Sequence, residues 1–188
     1  MATYTYAIKY TLDFEGGLSD NPNDSGGITN HGVSLAFASS TGNRKLFDKD
    51  RDGDIDRNDI KLLTTEDAIE AFKQYFWDPI DLDDLYSEKK AFLVFDANVN
   101  HGLGNSIPMI QRTCNKLGYK LDIDGKFGPK TKRALEECDE YDFCNTFLDV
   151  RENFYYKIVE RRSSQKVFLR GWLNRINHLR DIIKTYPD

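Results

Sequence analysis

A glutamate at the end of an apolar N-terminal helix, followed at once by two glycines, is the feature that most constrains this chain. At a helical period, residues 3–15 place one apolar face around the direction in which Glu15 points. That face consists of Tyr4, Ala7, Ile8 and Leu12, widened by Tyr6, Tyr10 and Phe14. Desolvation raises the pKa of a carboxyl group, so a glutamate in this setting can hold its proton near neutral pH, as a general acid must. The alternative is a helix-terminal glutamate that turns back to water past Gly16-Gly17.

The segment after Glu15 is rich in turn-forming residues. Gly16 can adopt the left-handed conformation that ends a helix, and Asn21-Pro22-Asn23-Asp24 is typical of a turn. Gly26-Gly27 precedes Ile28-Thr29 and indicates a tight hairpin or a close approach of the backbone to a ligand. The chain therefore leaves Glu15 and returns through small polar residues, which is one way to form the wall of a cleft.

Residues 15–32 fit the pattern E-G-G-x-S-x-x-P-x-D-x-G-G-x-T-x-x-G. This pattern resembles the signature of glycoside hydrolase family 108, which comprises N-acetylmuramidases of phage and bacterial origin. The resemblance implies a lysozyme-like fold and cleavage of the sugar backbone of peptidoglycan. It also implies that Glu15, the glutamate of the motif, is the catalytic acid.

Glycoside hydrolysis usually needs a second carboxylate, which activates water or attacks the sugar. Eight residues separate Glu15 from Asp24, a spacing that resembles the one in phage-type lysozymes, and the polar loop around Asp24 should leave it ionised. Asp20 competes for this role, and both aspartates also suit a turn or a helix cap. In phage-type lysozymes a threonine follows. Thr29, the third catalytic candidate, lies one residue short of that place, which Asn30 occupies.

Residues 48–59 match an EF-hand-type calcium loop. Carboxylates stand at loop positions one, three, five, nine and twelve, namely Asp48, Asp50, Asp52, Asp56 and Asp59. Gly53 occupies the sharp-turn position six, and Asp54 can offer its carbonyl oxygen at position seven. Six acidic side chains in twelve residues repel one another unless a cation neutralises them; the alternative is a solvated acidic loop. We expect one structural Ca²⁺ ion, with aspartate instead of glutamate as the last ligand.

The three cysteines, Cys114, Cys138 and Cys144, lack metal-ligand spacing and indicate free thiols made in a reducing compartment. The first residues lack the basic and apolar regions of an ordinary secretory signal, and no segment is apolar for long enough to span a bilayer. These features favour a phage endolysin that stays in the host cytoplasm until its release to the cell wall in the periplasm. We expect a monomer.

The net charge of −5 is unevenly distributed. Residues 48–84 are acidic, whereas residues 151–184 carry nine Lys or Arg residues against three acids. A basic C-terminal face could attract an anionic cell wall or outer-membrane surface, and a solvated helix face is the alternative. No motif supports binding to nucleic acid.

Most of the remaining chain has helical periodicity. Capping signals predict a helix that begins after Thr64 and ends at Asp78-Pro79, and another that begins after Ser87 and ends near Gly102. Further helices are predicted over residues 107–117, 129–138, 141–162 and 168–186. Strand signals are few outside residues 18–33. The predicted fold class is mainly α (α+β, lysozyme-like), with a helical core, a small β-hairpin and the EF-hand-type loop as an insertion.

Two segments resemble the peptidoglycan-binding region that accompanies the family, namely residues 95–102 and the turn-then-helix motif of residues 122–131. In the first, Asp96, Asn98 and Asn100 are candidates to bind N-acetyl or hydroxyl groups of the sugar. The alternative for them is a polar network between packed helices. His101 is expected to be a helix-end histidine and not a catalyst.

We divide the chain into a catalytic lysozyme-like region, residues 1–90, and a helical peptidoglycan-binding region, residues 91–188. No linker rich in Pro, Ser or Gly separates them, so one integrated domain is expected. The predicted function is that of a peptidoglycan hydrolase, a muramidase that cleaves the β-1,4 bond between N-acetylmuramic acid and N-acetylglucosamine. A non-catalytic wall-binding or secretion-associated protein and a lytic transglycosylase remain as alternatives.

Overall fold

The computed structural model describes residues 2–14, 17–20 and 27–186. These residues form two compact units. The first unit comprises the described residues of Ile8–Tyr75, and the second comprises those of Met1–Ala7 and Phe76–Asp188. Helix α1 (Tyr4–Phe14) begins in the second unit and ends in the first.

The first unit contains a short antiparallel hairpin, β1 (Thr29–Asn30) and β2 (Val33–Ser34). The residues between the strands are His31-Gly32, which have φ values of 48° and 80°. Positive φ at both central residues matches the twist of a two-residue hairpin, and glycine adopts it without steric cost. The sequence indicated a tight hairpin or a close approach of the backbone to a ligand at Gly26-Gly27, and Gly26 lies outside the described residues. The described hairpin turns a few residues later, at a pair whose second member is also glycine.

The hairpin is followed in the first unit by α2 (Leu35–Thr41), α3 (Arg44–Phe47), α4 (Arg57–Leu62) and α5 (Thr65–Phe72). The sequence assigned no helix to the first three of these segments. The helix predicted to begin after Thr64 is present as α5, and Thr64 and Asp67 form a capping box at its start. Rings of Phe37, Phe47 and Tyr75 pack together, with centroids 5.5–6.4 Å apart, in the core of this unit.

The second unit is built around α6 (Glu88–His101), in which residues 91–95 are completely buried. A helix that is apolar on all sides must be enclosed by others. Helices α7 (Leu103–Lys116) and α9 (Glu140–Arg161) pack against it, α8 (Pro129–Glu137) packs against α7, and α10 (Lys166–Thr185) packs against α9. The predicted cap at Ser87 is confirmed, since its hydroxyl accepts a hydrogen bond from the Lys90 backbone N–H.

Helix α7 begins four residues earlier than predicted, at Leu103, so that Pro108 lies inside the helix. A proline at this position removes the hydrogen bond to the carbonyl oxygen of residue 104. That residue is an exposed glycine.

The apolar face predicted for α1 is confirmed at Tyr4, Ala7 and Ile8, which are buried. Within the second unit, the Tyr4 ring lies edge-on to Trp77, at a centroid distance of 5.3 Å. The prediction is wrong for Tyr6, which is 51% exposed. The buried stripe of α1 is therefore narrower than the aromatic residues alone suggested.

A buried lysine joins two helices of the second unit. Lys90 of α6 is only 4% exposed, and its ammonium donates to the carbonyl oxygens of Leu135 and Glu136, at 2.9 and 3.2 Å, and to that of Cys138. A cation at the C-terminus of a helix satisfies carbonyl groups that have no partner inside the helix. Lys90 thus fixes the end of α8 to α6. None of the described helices is long and apolar enough to cross a membrane.

Candidate functional site

Glu15 and Asp24, two of the predicted catalytic residues, lie outside the described residues, and their roles stay predictions. The third, Thr29, is half-buried in β1. Its backbone N–H and C=O groups exchange hydrogen bonds of 2.8 Å with Ser19, and its hydroxyl donates to the Gly27 carbonyl oxygen at 3.4 Å. The two ends of segment 19–29 are therefore held together at Ser19 and Thr29.

Asn30 anchors the hairpin to α4 within the first unit. Its side chain is 6% exposed, and its amide nitrogen Nδ2 donates to the carbonyl oxygens of Ile60, at 3.0 Å, and Leu63, at 3.3 Å. These carbonyl groups belong to the C-terminal end of α4, where helix geometry leaves them without an internal partner. At the place where phage-type lysozymes carry a threonine, Asn30 thus has a structural role that the sequence did not indicate.

Asp20, the competitor for the second carboxylate, forms an ion pair. Its Oδ2 atom lies 2.5 Å from Nη2 of Arg57, and the two side chains are 45% and 53% exposed. An exposed pair contributes little stability. The pair nevertheless joins the Asp20 carboxylate to Arg57, the first residue of α4.

The acidic side chains of residues 48–59 gather into two groups in which the carboxylate oxygens lie within 4.8 Å of one another. One group is Asp48, Asp50 and Asp52, and the other is Asp54, Asp56 and Asp59. Repulsion from Asp52 is the main cause that raises the pKa of Asp54. Gly53, at loop position six, has φ of 98°, which a side chain disfavours.

Asp59 differs from the other acids of the loop because its side chain is completely buried. Its Oδ1 atom accepts hydrogen bonds from the backbone N–H groups of Lys49 and Asp50, at 2.6 and 3.2 Å, and its Oδ2 atom accepts one from Asp56, at 2.8 Å. Burial acts to raise the pKa of Asp59, but these hydrogen bonds outweigh it and lower the pKa. The carboxylate therefore closes the loop on itself, joining its first residues to the start of α4.

Asp96 of α6 is buried between two arginines. Its Oδ2 atom lies 2.7 Å from Nη2 of Arg151, and its Oδ1 atom lies 2.7 Å from Nη2 of Arg175. Burial would raise the pKa of Asp96, but the positive charges of Arg175 and Arg151 hold it at about 2. The carboxylate is thus ionised and has its hydrogen bonds within the protein, as expected of a polar network between packed helices.

Asn98 and Asn100 have different environments. Asn98 is completely buried; its amide donates to the Phe76 carbonyl oxygen at 2.8 Å, and its Oδ1 atom accepts from the Ser106 hydroxyl at 2.5 Å. Asn100 is exposed and accepts a hydrogen bond of 2.6 Å from the Tyr155 hydroxyl. Of the three predicted substrate-binding residues of α6, Asn100 has the side chain that solvent can reach.

His101, at the end of α6, is enclosed by aromatic rings. Phe154 lies edge-on at a centroid distance of 5.4 Å, and the hydroxyl of Tyr155 lies 3.4 Å from Nε2. Burial, reinforced by the positive charge of Arg151, lowers the pKa of His101 to about 3. The imidazole is therefore neutral at ordinary pH. Its place at the end of α6 is as predicted, and its lack of a catalytic role stays a prediction.

The predicted turn-then-helix motif is present before α8. Gly125 has φ of 72°, and the Asp124 carboxylate accepts a hydrogen bond of 2.9 Å from the Lys126 backbone N–H. Buried Gln111 of α7 donates to the same carboxylate at 2.8 Å and accepts from the Gly125 N–H at 3.1 Å. This turn is therefore fixed to α7, and α8 begins at Pro129, as predicted.

Comparison with known proteins relates the chain to glycosidases and to peptidoglycan. Residues 8–102 match the family model described as glycosyl hydrolase 108, and residues 105–177 match the model described as a predicted peptidoglycan domain. Among solved structures, the chain is similar to SagA of Brucella abortus, with a TM-score of 0.79 and 24% identity over 97% of this chain and 94% of that chain. No curated protein matches. The predicted mainly α, lysozyme-like fold class is confirmed, and the EF-hand-type loop stays a prediction.

Proposed function

The chain belongs to the glycosyl hydrolase 108 family and is a peptidoglycan hydrolase, and from this premise we propose that it is a muramidase. The bond cleaved is the β-1,4 bond between N-acetylmuramic acid and N-acetylglucosamine. One observation carries the proposal: the region that matches the family, residues 8–102, contains the complete motif of residues 15–32.

In this proposal Glu15 protonates the leaving glycosidic oxygen, and Asp24, as the ionised carboxylate, assists the attack on the sugar. Thr29 helps to position the reacting groups. Within the second unit, Asn100 is the exposed one of the three predicted substrate-binding residues and would bind N-acetyl or hydroxyl groups of the glycan, whereas Asp96 and Asn98 act by holding α6 in place. The engagement of Asp20 with Arg57 supports the choice of Asp24 as the second carboxylate.

The mass spectrum of the products tests the proposed reaction. Purified protein is incubated with bacterial cell walls, and the loss of turbidity and the released fragments are measured. A muramidase yields reducing N-acetylmuramic acid ends. Anhydro-muramic ends would identify a lytic transglycosylase instead, and intact walls with bound protein would identify a non-catalytic wall-binding protein.

We also propose that residues 48–59 bind one structural Ca²⁺ ion. Support comes from the two groups of carboxylates in EF-hand register and from the turn at Gly53. The buried Oδ1 atom of Asp48 accepts no hydrogen bond from any described residue and suits a cation. Because three backbone N–H groups already bind the Asp59 carboxylate, Asp59 is expected to supply one oxygen atom to the ion.

Calcium is expected to raise the melting temperature. An ion that binds only the folded state at a hundredfold excess over its Kd stabilises by about 2.7 kcal/mol, or about 5–10 °C for a chain of this size. Melting curves in Ca²⁺ and in chelator measure the effect. The variant D48A/D52A should lose the response, and the control D122N/E136Q, with two exposed acids changed elsewhere, should keep it. Identical wild-type curves in Ca²⁺ and in chelator, with trace metal excluded, would leave the loop as an acidic turn only.

We further propose the role of a phage endolysin that is made in the host cytoplasm and acts on the cell wall after release. The thiols of Cys114, Cys138 and Cys144 are free and buried, which suits synthesis in a reducing compartment. Bacteria that express the chain should lyse only when their inner membrane is permeabilised. Lysis without permeabilisation would contradict this role.

A further inference from the structure

A groove between α7 and α9 carries four basic side chains. It encloses about 570 Å³ and lies within the second unit. Arg112 and Lys116 line it from α7, and Lys157 and Arg161 line it from α9. All four are exposed, and none of the acidic residues that the structure describes lines this basic groove. A cavity of this size is typical of sites for small ligands, which occupy about 300–1,000 Å³.

The spacing of these cations is unfavourable in the free protein. Arg112 and Lys116 are four residues apart on one helix, and so are Lys157 and Arg161, which brings like charges close together on each wall. None of the four forms an ion pair with any residue that the structure describes. Other cations of this unit do have acidic partners, as in the pair Arg133–Glu137. The repulsion would be relieved by an anionic ligand.

Three acids of α9 lie near the basic groove in sequence: Asp149 and Glu152 are engaged on another side of that helix, and the exposed Glu160 does not line the cavity. Asp149 and Glu152 both contact Arg180 of α10, with N–O distances of 2.6 and 3.4 Å. The helix thus has an acidic side directed to α10 and a basic side that lines the cavity. This separation of charge leaves the basic groove with a positive potential.

The remaining lining of the basic groove is suited to a peptide. Phe154 and Ile158, both half-buried, provide apolar surface. Asn105 and Asn153 provide amide groups at the same cavity, and each amide donates one hydrogen bond inside the protein, to the carbonyl oxygens of His101 and Asp149 respectively. Apolar surface complements alanine methyl groups and aliphatic side chains, and amides hydrogen-bond to peptide groups. A polyphosphate chain requires the cations but not the apolar surface. The combination therefore favours a short peptide that carries several carboxylates.

We propose that the basic groove binds the peptide stem of peptidoglycan through its free carboxylates. The stem has acidic residues between alanines, so that its chemistry matches both the cations and the apolar lining. The cavity is lined by residues 105–161, inside the segment that matches the peptidoglycan domain. The inference rests on the proposed function for its substrate and adds to it a second point of recognition, the peptide beside the glycan.

Calorimetric titration with a synthetic stem tetrapeptide tests the proposal. The peptide is L-Ala-D-isoGlu-diaminopimelate-D-Ala, which has no glycan, so the measurement does not depend on hydrolysis. The full chain should bind it, and the variant R112Q/K116Q/K157Q/R161Q should bind at least about tenfold more weakly. The same peptide with amidated carboxylates should bind the unaltered chain at least about tenfold more weakly, because the anionic groups are gone.

The variant K120Q/K130Q/K166Q/R170Q is the matched control. It also removes four exposed positive charges from this unit, but none of them lines the basic groove. Its dissociation constant should stay within about twofold of the unaltered chain. If the groove variant fails to fold, the double variant R112Q/K157Q, which removes one cation from each wall, should still weaken binding severalfold.

Three results would overturn the proposal: no binding of the tetrapeptide, equal binding by the groove variant, and equal binding of the amidated peptide. Binding of poly(glycerol phosphate) without binding of the tetrapeptide would assign the basic groove to phosphate and also overturn it. The proposed function has a separate readout. If the chain binds the tetrapeptide but releases no reducing muramic ends, the proposal for the basic groove stands and the proposal that the chain is a muramidase is contradicted.

Discussion

Glu15→Gln is expected to lower the rate of cell-wall lysis by about 10²–10⁴-fold. Glutamine keeps the shape of glutamate and its capacity for hydrogen bonding, but it has no transferable proton. If Glu15 protonates the glycosidic oxygen, the variant should bind walls and fold normally while its turnover is lost. The measurement is the initial rate of turbidity loss, combined with the mass spectrum of released fragments and a melting curve.

A matched control and two further variants make this test specific. Glu66→Gln changes an exposed glutamate in the first turn of α5 and should leave the rate unchanged. Asp24→Asn should reduce the rate, because a second carboxylate is needed. Asp20→Asn should matter less, since Asp20 is paired with Arg57. A near-normal rate of lysis for Glu15→Gln would show that Glu15 is not the catalytic acid. A larger loss of rate for Asp20→Asn than for Asp24→Asn would make Asp20 the second carboxylate.

The helices were predictable where their signals were local. The caps at Ser87 and Thr64 lie within three residues of the groups they bind, so the sequence shows both members of each interaction. The start of α7 was not predictable in this way. The helix continues through Pro108, whereas proline usually marks the first turn of a helix, so the position of the proline suggested a later start.

The partners of buried polar residues could not be predicted from the sequence either. Asn30 hydrogen-bonds a carbonyl group thirty residues away, and Arg151 binds a carboxylate fifty-five residues away.

The count of nine basic residues in segment 151–184 suggested a basic face, with a solvated helix face as the alternative. In the structure Arg151 is buried and Arg180 is paired, while Lys157 and Arg161 line the basic groove. The i,i+4 spacing of the groove cations on each helix was a visible signal, but their meeting across two helices was not.

Asp96→Ala is expected to lower the free energy of unfolding by about 3–5 kcal/mol. The carboxylate is completely buried and is bound by Arg151, also completely buried, and by Arg175, which is 12% exposed. Removing the anion leaves two guanidinium groups facing each other in a low-dielectric interior. Urea denaturation at neutral pH measures the loss. Asp149→Ala is the matched control, because it breaks an ion pair to Arg180, between the two helices that carry Arg151 and Arg175, at an exposed site.

Asp149→Ala should lower the free energy of unfolding by no more than about 1 kcal/mol, since exposed ion pairs are weak. Equal losses at Asp96 and Asp149 would contradict the structural role of the buried cluster. The pH dependence provides an independent measurement. The pKa of Asp96 is lowered from 3.8 to about 2 in the folded protein, so its stabilisation is complete above its unfolded pKa and is lost as the pH falls through about 2. Between about pH 4 and about pH 2, the unaltered chain should therefore lose more stability than Asp96→Asn, in which this group no longer titrates.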